Sequence, residues 1–222
     1  QRHGYKNLTI GITETFPGGA PPMHSHEGEE SHVLLEGDIL YKNRLLMLDI
    51  IANNDWKRPI YFTGGSFGND DYLWMKDYLQ LDGVAYKLVP IYSPVDERTP
   101  FDMGRIDSEK MYDIVMKWDW GNSESPDIYH DPETRKNSIS YRTNLARLME
   151  QLINEGKIDK AKNIINLAMT KMPVDYFGYY TLLEPFAAGY YEVGEKPNAQ
   201  ALLEKLVVKY RENLDYYKTF KP

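Results

Sequence analysis

The sequence of 222 residues predicts an α+β fold built from three unequal pieces. Residues 1–42 contain short β-rich runs separated by Pro and Gly, which predict a β-segment. Residues 43–137 alternate helical and strand-like patterns, which predict a small α/β layer. Residues 138–222 are helical and carry an internal repeat, which predicts C-terminal helical hairpins. At roughly 100–200 residues per domain, this length allows one large domain or two small ones.

The first two pieces are predicted from local patterns. In the β-segment, Leu8–Ile12 and Ser31–Leu35 are β-rich runs bounded by turn residues. Four elements are predicted in the α/β layer, in this order: a helix over Leu45–Ala52, a strand over Ile60–Thr63, a helix from Asp70 or Asp71 to Gln80, and a strand over Val84–Ile91. The polar run Asn53–Asp55 ends the first helix, and Asp82-Gly83 forms a turn before the last strand.

The stretch 92–137 is rich in Pro, Asp and Ser and predicts one helix, over Asp107–Trp118. The run Trp118–Pro126 predicts a loop. Its two tryptophans are either buried anchors of the loop or part of a binding surface. We favour buried anchors, because a tryptophan gains much apolar contact area by burial.

The helical piece contains a repeat with an offset of 38 residues. Leu148, Leu152, Gly156, Ala161, Ile165 and Ala168 are matched by Phe186, Tyr190, Gly194, Ala199, Leu203 and Leu206. A small residue in the turn, and another where the second helix crosses the first, are what close helix pairing requires. The pattern resembles a pair of tetratricopeptide-type hairpins, lengthened by the connector Pro173–Tyr180. An ordinary helical bundle is the alternative.

The composition excludes several classes of function. With no cysteine, the chain has no disulfide scaffold, thiolate zinc site or thiol nucleophile. A formal charge of -7 argues against nucleic acid as a partner. The sequence has no run of about 18 apolar residues and no Gly-x-Ser-x-Gly nucleophile elbow. We therefore assign no catalytic residue, and we expect a soluble piece of a larger protein that is not catalytic by itself.

One motif near the N-terminus predicts a metal site. His24, His26 and Glu30 stand between Gly18 and Gly37 with the spacing of the first motif of the cupin superfamily, which residues 8–41 resemble. Two histidines at i and i+2 on a strand share a face, and a nearby carboxylate can join them on Mn, Fe, Ni or Zn. The second cupin motif, with Pro-x-Gly and then His, is absent. We expect no cofactor unless this cupin-like motif functions, and solvated imidazoles are the alternative.

A second resemblance covers residues 43–222. It is carried by Asn43–Phe62, Tyr78–Ile91, Met111–Asp113 and Asn144–Arg147. These stretches are similar to the C-terminal soluble region of a family of large bacterial polytopic membrane proteins of unknown function. The membrane-embedded part of that family is related to protein O-mannosyltransferases and other lipid-phosphosugar-dependent glycosyltransferases.

The family resemblance implies an accessory domain attached to a membrane-embedded catalytic region, on the periplasmic side or elsewhere in the cell envelope. A cytoplasmic location is the alternative. The expected partner is a protein or a glycan, and the groove of the helical hairpins is a natural place for a peptide.

A candidate ligand site follows from the residues themselves. Trp56, Lys57 and Arg58 place an indole and two cations just before a predicted strand. Ligands tend to bind at strand ends in α/β layers. Trp56 could stack on a sugar ring while Arg58 holds a carboxylate or a phosphate. The alternative is that Trp56 and Tyr61 are core aromatics and that Arg58 pairs with a neighbouring Asp.

Overall fold

The computed structural model of the protein describes residues 32–35, 38–63, 70–96 and 103–220. Contacts within the chain divide it into two units, which are described separately. The N-terminal unit comprises residues 1–60 and 65–74, and the C-terminal unit comprises residues 61–64 and 75–222. Strands and helices occur in both units, and the predicted α+β class is confirmed.

The N-terminal unit contains a β-hairpin followed at once by a helix. Strands β1 (His32–Leu35) and β2 (Asp38–Tyr41) pair antiparallel, and helix α1 (Lys42–Asn54) begins at the next residue. A short helix, α2 (Asp70–Leu73), also belongs to this unit. The strand predicted at Ser31–Leu35 and the helix predicted at Leu45–Ala52 are therefore confirmed. The strand predicted at Leu8–Ile12 lies outside the part of the chain that the structure describes.

The C-terminal unit begins with a three-stranded sheet in the order β3-β5-β4. Its strands are β3 (Tyr61–Phe62), β4 (Leu79–Asp82) and β5 (Ala85–Leu88), and both pairings are antiparallel. The helix predicted to continue to Gln80 is wrong at its C-terminal end, where a 3-10 turn over Lys76–Tyr78 leads directly into β4.

The strand β4 replaces the predicted helix because its apolar residues alternate. Leu79 and Leu81 lie two apart and are fully buried, which is the period of a strand. Gly83, with a φ of 75°, then allows the tight turn into β5. Hairpin pairing thus outweighed the helical spacing of the preceding residues.

The polar side chains of β4 are buried but hydrogen-bonded. Arg105 Nη1 donates to Gln80 Oε1 (2.6 Å), and Gln80 Nε2 donates to Asp82 Oδ1 (2.8 Å). The Tyr61 hydroxyl donates to the second oxygen of Asp82 (3.2 Å). Each buried polar group of this chain of contacts therefore has a partner, which removes most of the cost of burying it.

Helices make up the rest of the C-terminal unit. They are α3 (Ser108–Val115), α4 (Pro132–Asn154), α5 (Ile158–Lys171), α6 (Val174–Phe177), α7 (Glu184–Glu192) and α8 (Lys196–Lys218). The helix predicted over Asp107–Trp118 is confirmed as α3, with Asp107 as its N-cap. Asp131 caps α4 by accepting bonds from the backbone N–H groups of Glu133 and Thr134. None of the helices within the described ranges has both the length and the apolar character that crossing a membrane requires.

The internal repeat is present in the structure. The turn between α4 and α5 and the turn between α7 and α8 are the same Schellman turn, with Gly156 and Gly194 at positive φ. In the first turn Lys157 N–H donates to Leu152 O (2.8 Å), and in the second Glu195 N–H donates to Tyr190 O (2.7 Å). Each of these residues in the second turn lies 38 positions after its counterpart in the first turn. The assignment to the tetratricopeptide type stays a prediction.

One buried cluster runs through the C-terminal unit. It includes Leu81 from β4 and Met111 from α3, together with Leu148, Ile165 and Phe186 from the helical repeats. These residues come from both the predicted α/β layer and the predicted hairpins. The division into residues 1–42, 43–137 and 138–222 stays a prediction.

Substitution of Gly83 tests the hairpin turn. We expect Gly83→Ala to lower the free energy of unfolding by about 2–4 kcal/mol, because φ is positive and the new Cβ would lie 2.6 Å from Cζ2 of Trp118. Gly156→Ala is the matched control, since Gly156 has a similar φ and no atom within 4 Å of the new Cβ. It should cost about 1 kcal/mol. Urea denaturation measures both, and equal losses would contradict the contact with Trp118.

Acid unfolding tests the turn between α4 and α5. Hydrogen bonds from Gln151, Lys157 and Ser108 lower the pKa of Glu155 from 4.5 to about 2. Since the pKa is lower in the folded state, this carboxylate stabilises the fold above pH 4.5, and the contribution is lost as the pH falls toward 2. Glu155→Gln should make the free energy of unfolding less dependent on pH across this window. Parallel pH profiles for the two proteins would show that the carboxylate has no such role.

Candidate ligand-binding site

A cavity of about 320 Å³ lies within the C-terminal unit, beside the first turns of α4. Thr134, Asn137, Ser138 and Tyr141 line one side of it. Their spacing of i, i+3, i+4 and i+7 places them on a single face of the helix. The opposite side is formed by the loop of residues 118–130, which includes the loop predicted over Trp118–Pro126. We call this space the aromatic cavity.

Three aromatic rings form one wall of the aromatic cavity. The ring centroids of Trp118 and Trp120 are 5.6 Å apart, and the Tyr141 ring lies 5.2 Å from Trp118 and 5.7 Å from Trp120. At these separations the rings pack against each other in edge-on or tilted geometry. All three also pack against the buried cluster. The preference for the two tryptophans as anchors therefore holds in part, since they anchor the loop and also line a cavity.

His130 lies at the end of the loop and contributes to the cavity. Its Nε2 is 2.9 Å from Ser123 O, and because a carbonyl can only accept, Nε2 carries the proton. The imidazole ring lies 4.5 Å from the ring of Phe177, which also lines the cavity.

The loop is fixed to the end of α5. The Ser123 hydroxyl donates to Lys171 O (2.8 Å), and the Lys171 ammonium pairs with Glu124. The hydrogen bond from Lys171 holds the pKa of Glu124 below its usual value. These contacts attach the loop that carries Trp118 and Trp120 to the C-terminal end of α5.

Arg142 binds the segment after α5 that forms the remaining wall of the cavity. It is fully buried on α4, and its guanidinium donates to Met172 O (2.7 Å) and to Gly178 O (2.6 Å). Burial lowers the pKa of Arg142 to about 10, so the side chain is still a cation at pH 7. Met172 and Phe177, which line the cavity, belong to the segment that Arg142 fixes.

The residues that line the aromatic cavity include one acidic side chain, and none of them is Lys or Arg. That acid is Asp119, which accepts a hydrogen bond from Gly121 N–H (2.9 Å). The indole N–H of Trp120 is enclosed and has no hydrogen-bond partner within the described structure. Asn137 is exposed on α4 and lines the cavity. The cavity therefore combines an apolar wall with a few polar groups, as small-molecule sites do.

A second cavity, of about 470 Å³, follows the groove between α5 and α8. Its lining includes Met169 and Asn166 from α5 and Leu202 from α8. This is the groove in which the sequence predicts a peptide partner. It has one aromatic side chain, Tyr190, among its lining residues, so it offers a ligand less rigid apolar surface than the aromatic cavity does.

The structure places Trp56, Lys57 and Arg58 in a tight turn after α1, in the N-terminal unit. Asn54 Nδ2 donates to Arg58 O (2.7 Å), and the Lys57 ammonium lies 3.1 Å from a carboxylate oxygen of Asp55. Trp56 is 53% exposed and has a positive φ. The alternative that Trp56 and Tyr61 are core aromatics is wrong, because both are exposed. Ligand binding by the three residues stays a prediction.

The predicted metal ligands His24, His26 and Glu30 lie outside the part of the chain that the structure describes. Within the described ranges, no group of three or more His, Asp or Glu side chains is arranged to hold a metal ion. The prediction of a metal at His24, His26 and Glu30 therefore stays untested by the geometry.

Truncation of Tyr141 tests the aromatic wall. Tyr141→Ala removes a ring that packs on both Trp118 and Trp120, and we expect it to lower the free energy of unfolding by about 2 kcal/mol. Tyr129→Ala is the control, since Tyr129 is 84% exposed, and it should change stability by less than about 0.5 kcal/mol. Denaturant unfolding followed by tryptophan fluorescence measures both. Equal effects would show that the wall does not contribute to the core.

Comparison with known proteins finds a family match in part of the chain. Residues 23–110 match the family model of TMEM260-associated domain 2, which covers about two fifths of the sequence. No curated protein and no solved structure matches the chain. No comparison supports the resemblance of residues 8–41 to cupins. Of the residues that line the aromatic cavity, only Val84 lies in the matched range. Residues 23–110 are therefore similar to a TMEM260-associated domain.

Proposed function

We propose that this chain is a non-catalytic accessory domain of a glycosyltransferase-like membrane protein and that it recognises a glycan or protein partner on the extracytoplasmic side. The similarity of residues 23–110 to TMEM260-associated domain 2 supports a place in a larger membrane protein. The resemblance of residues 43–222 to soluble regions next to lipid-phosphosugar-dependent transferases supports the connection with glycosyl transfer. The same resemblance supports the extracytoplasmic location.

The aromatic cavity is the observation that carries the proposal of recognition. Its walls are fixed by the core, by the Ser123 bond to α5 and by Arg142, so a ligand would meet a preformed surface. The lining offers a single carboxylate, Asp119, whereas acid–base chemistry at a glycosidic bond commonly uses a pair of carboxylates. A cavity lined by one carboxylate is therefore better suited to binding a ligand than to cleaving a glycosidic bond.

The proposal separates acceptor recognition from catalysis, and the full-length membrane protein in proteoliposomes can test that separation. Hydrolysis of the lipid-linked sugar donor by water reports the catalytic region alone. Transfer of the sugar to the protein's own acceptor reports catalysis and recognition together. We expect deletion of this chain to leave hydrolysis nearly unchanged and to reduce transfer by about tenfold.

A matched pair of variants guards against a general disturbance of the protein. Asn137→Ala changes an exposed position that lines the aromatic cavity, and Tyr129→Ala changes an exposed position that does not. The first should reduce transfer and the second should not. Loss of donor hydrolysis on deletion would place the chain in the catalytic machinery and overturn the proposal. Unchanged hydrolysis and transfer would remove the accessory role.

A further inference from the structure

We infer that the aromatic cavity binds a single uncharged pyranose ring, stacked on the wall formed by Trp118, Trp120 and Tyr141. This inference names the ligand of the recognition site proposed above and rests on that proposal. It follows from the size of the cavity, its aromatic surface, its polar groups and its charge.

The size and the surface fit one sugar ring. A volume of about 320 Å³ lies at the small end of ligand sites. One face of a pyranose ring presents C–H groups and is apolar, so it can cover an aromatic ring and exclude water from it. The rings of Trp120 and Tyr141 line the cavity and pack partly against the core.

The rim of the cavity fits the hydroxyl groups of a sugar. The Asn137 amide can both donate and accept, and the Asp119 carboxylate accepts. A purely apolar ligand would form no hydrogen bond with the Asn137 amide or the Asp119 carboxylate, so the lining favours a polar ligand over a lipid chain.

The charge of the cavity selects among polar ligands. Binding sites for phosphate and carboxylate groups usually provide Arg or Lys, and no such residue lines the cavity. Phosphosugars and uronic acids are therefore disfavoured. An aromatic cage for a cation is disfavoured as well, because its rings must surround the cation. Here the three ring centroids lie only 5.2–5.7 Å apart, so the rings contact one another and enclose no space between them.

Nuclear magnetic resonance of the indole N–H groups tests the inference on the 222-residue chain. The chain has four tryptophans, so it gives four indole signals, which single Trp→Phe substitutions assign. The titrants are methyl α-mannopyranoside and methyl β-glucopyranoside, with sodium glucuronate and tetramethylammonium chloride as charged controls. We expect at least one methyl glycoside to shift the signals of Trp118 and Trp120 saturably. The signals of Trp56 and Trp74 should not move, since neither residue lines the cavity.

Two substitutions of cavity residues test whether the changes in the indole signals arise from binding in the cavity. Trp120→Phe replaces the indole by a smaller ring and reduces the surface on which a sugar can stack, and Asn137→Ala removes a polar side chain from the cavity lining. Each should weaken glycoside binding by about tenfold, read from the Trp118 signal. Tyr129→Ala should leave the affinity unchanged, because Tyr129 does not line the cavity. Unchanged signals of the remaining residues confirm that each variant is folded.

Several results would overturn the inference. These are no saturable shift with either glycoside, tighter binding of glucuronate or tetramethylammonium, or shifts confined to Trp56. The last result would support the site predicted at Trp56, Lys57 and Arg58 instead. Failure here differs from failure of the accessory role. If no glycoside binds but deletion of the chain still reduces transfer in proteoliposomes, the accessory role stands and a sugar in this cavity is excluded.

Discussion

The buried guanidinium of Arg142 is the interaction on which the arrangement of the helical repeats and the aromatic cavity depends. It lies in the middle of α4 and binds the carbonyl of Met172, the residue that caps the C-terminus of α5. The end of a helix carries partial negative charge, so a cation there is favourable. The same guanidinium binds Gly178 O in the connector. A buried cation is costly unless its donors are paired, and these two carbonyls accept from its terminal nitrogens, while its Nε has no partner within the described structure.

This interaction connects the fold to the candidate site. The segment from Met172 to Tyr179 must leave α5, turn through α6 and enter the second helix pair. Arg142 fixes both ends of that path, since Met172 O and Gly178 O lie at its two ends. Phe177, between them, is buried and meets the imidazole of His130. The cavity wall is thus a consequence of how the two repeats are joined.

Most of the helices could be predicted from the sequence, because their signals are local. Asp107 precedes α3 as an N-cap, and Gly156 and Gly194 mark turns that repeat at a fixed offset. Strand β4 could not be predicted, because Leu79 also fits the helical spacing of the residues before it. Pairing with β5 and burial of Leu81 favour the strand conformation over the helix, and both depend on contacts with residues that are distant in the sequence.

The aromatic cavity was missed for the same reason. Its residues come from the tip of a β-hairpin at Val84, the loop of residues 118–130, the first turns of α4, and the connector after α5. The signal that could have been noticed is the run of Trp118 and Trp120 around Asp119, which the sequence showed as a loop. By contrast, Trp56, Lys57 and Arg58 are adjacent in sequence and were easy to combine into a site. The sequence suggested a site at these three residues because they are consecutive, whereas the residues of the cavity are separated in the sequence and come together only in the folded chain.

A crystal structure of the 222-residue chain grown with a methyl hexopyranoside tests the central claim most directly. The account predicts a single sugar ring in the aromatic cavity, with its C–H face on Trp120 or Tyr141 and a hydroxyl within hydrogen-bond distance of the Asn137 amide. A cavity without sugar, at a concentration that saturates any binding seen in solution, would contradict the account. Sugar bound only at Trp56 would contradict it equally.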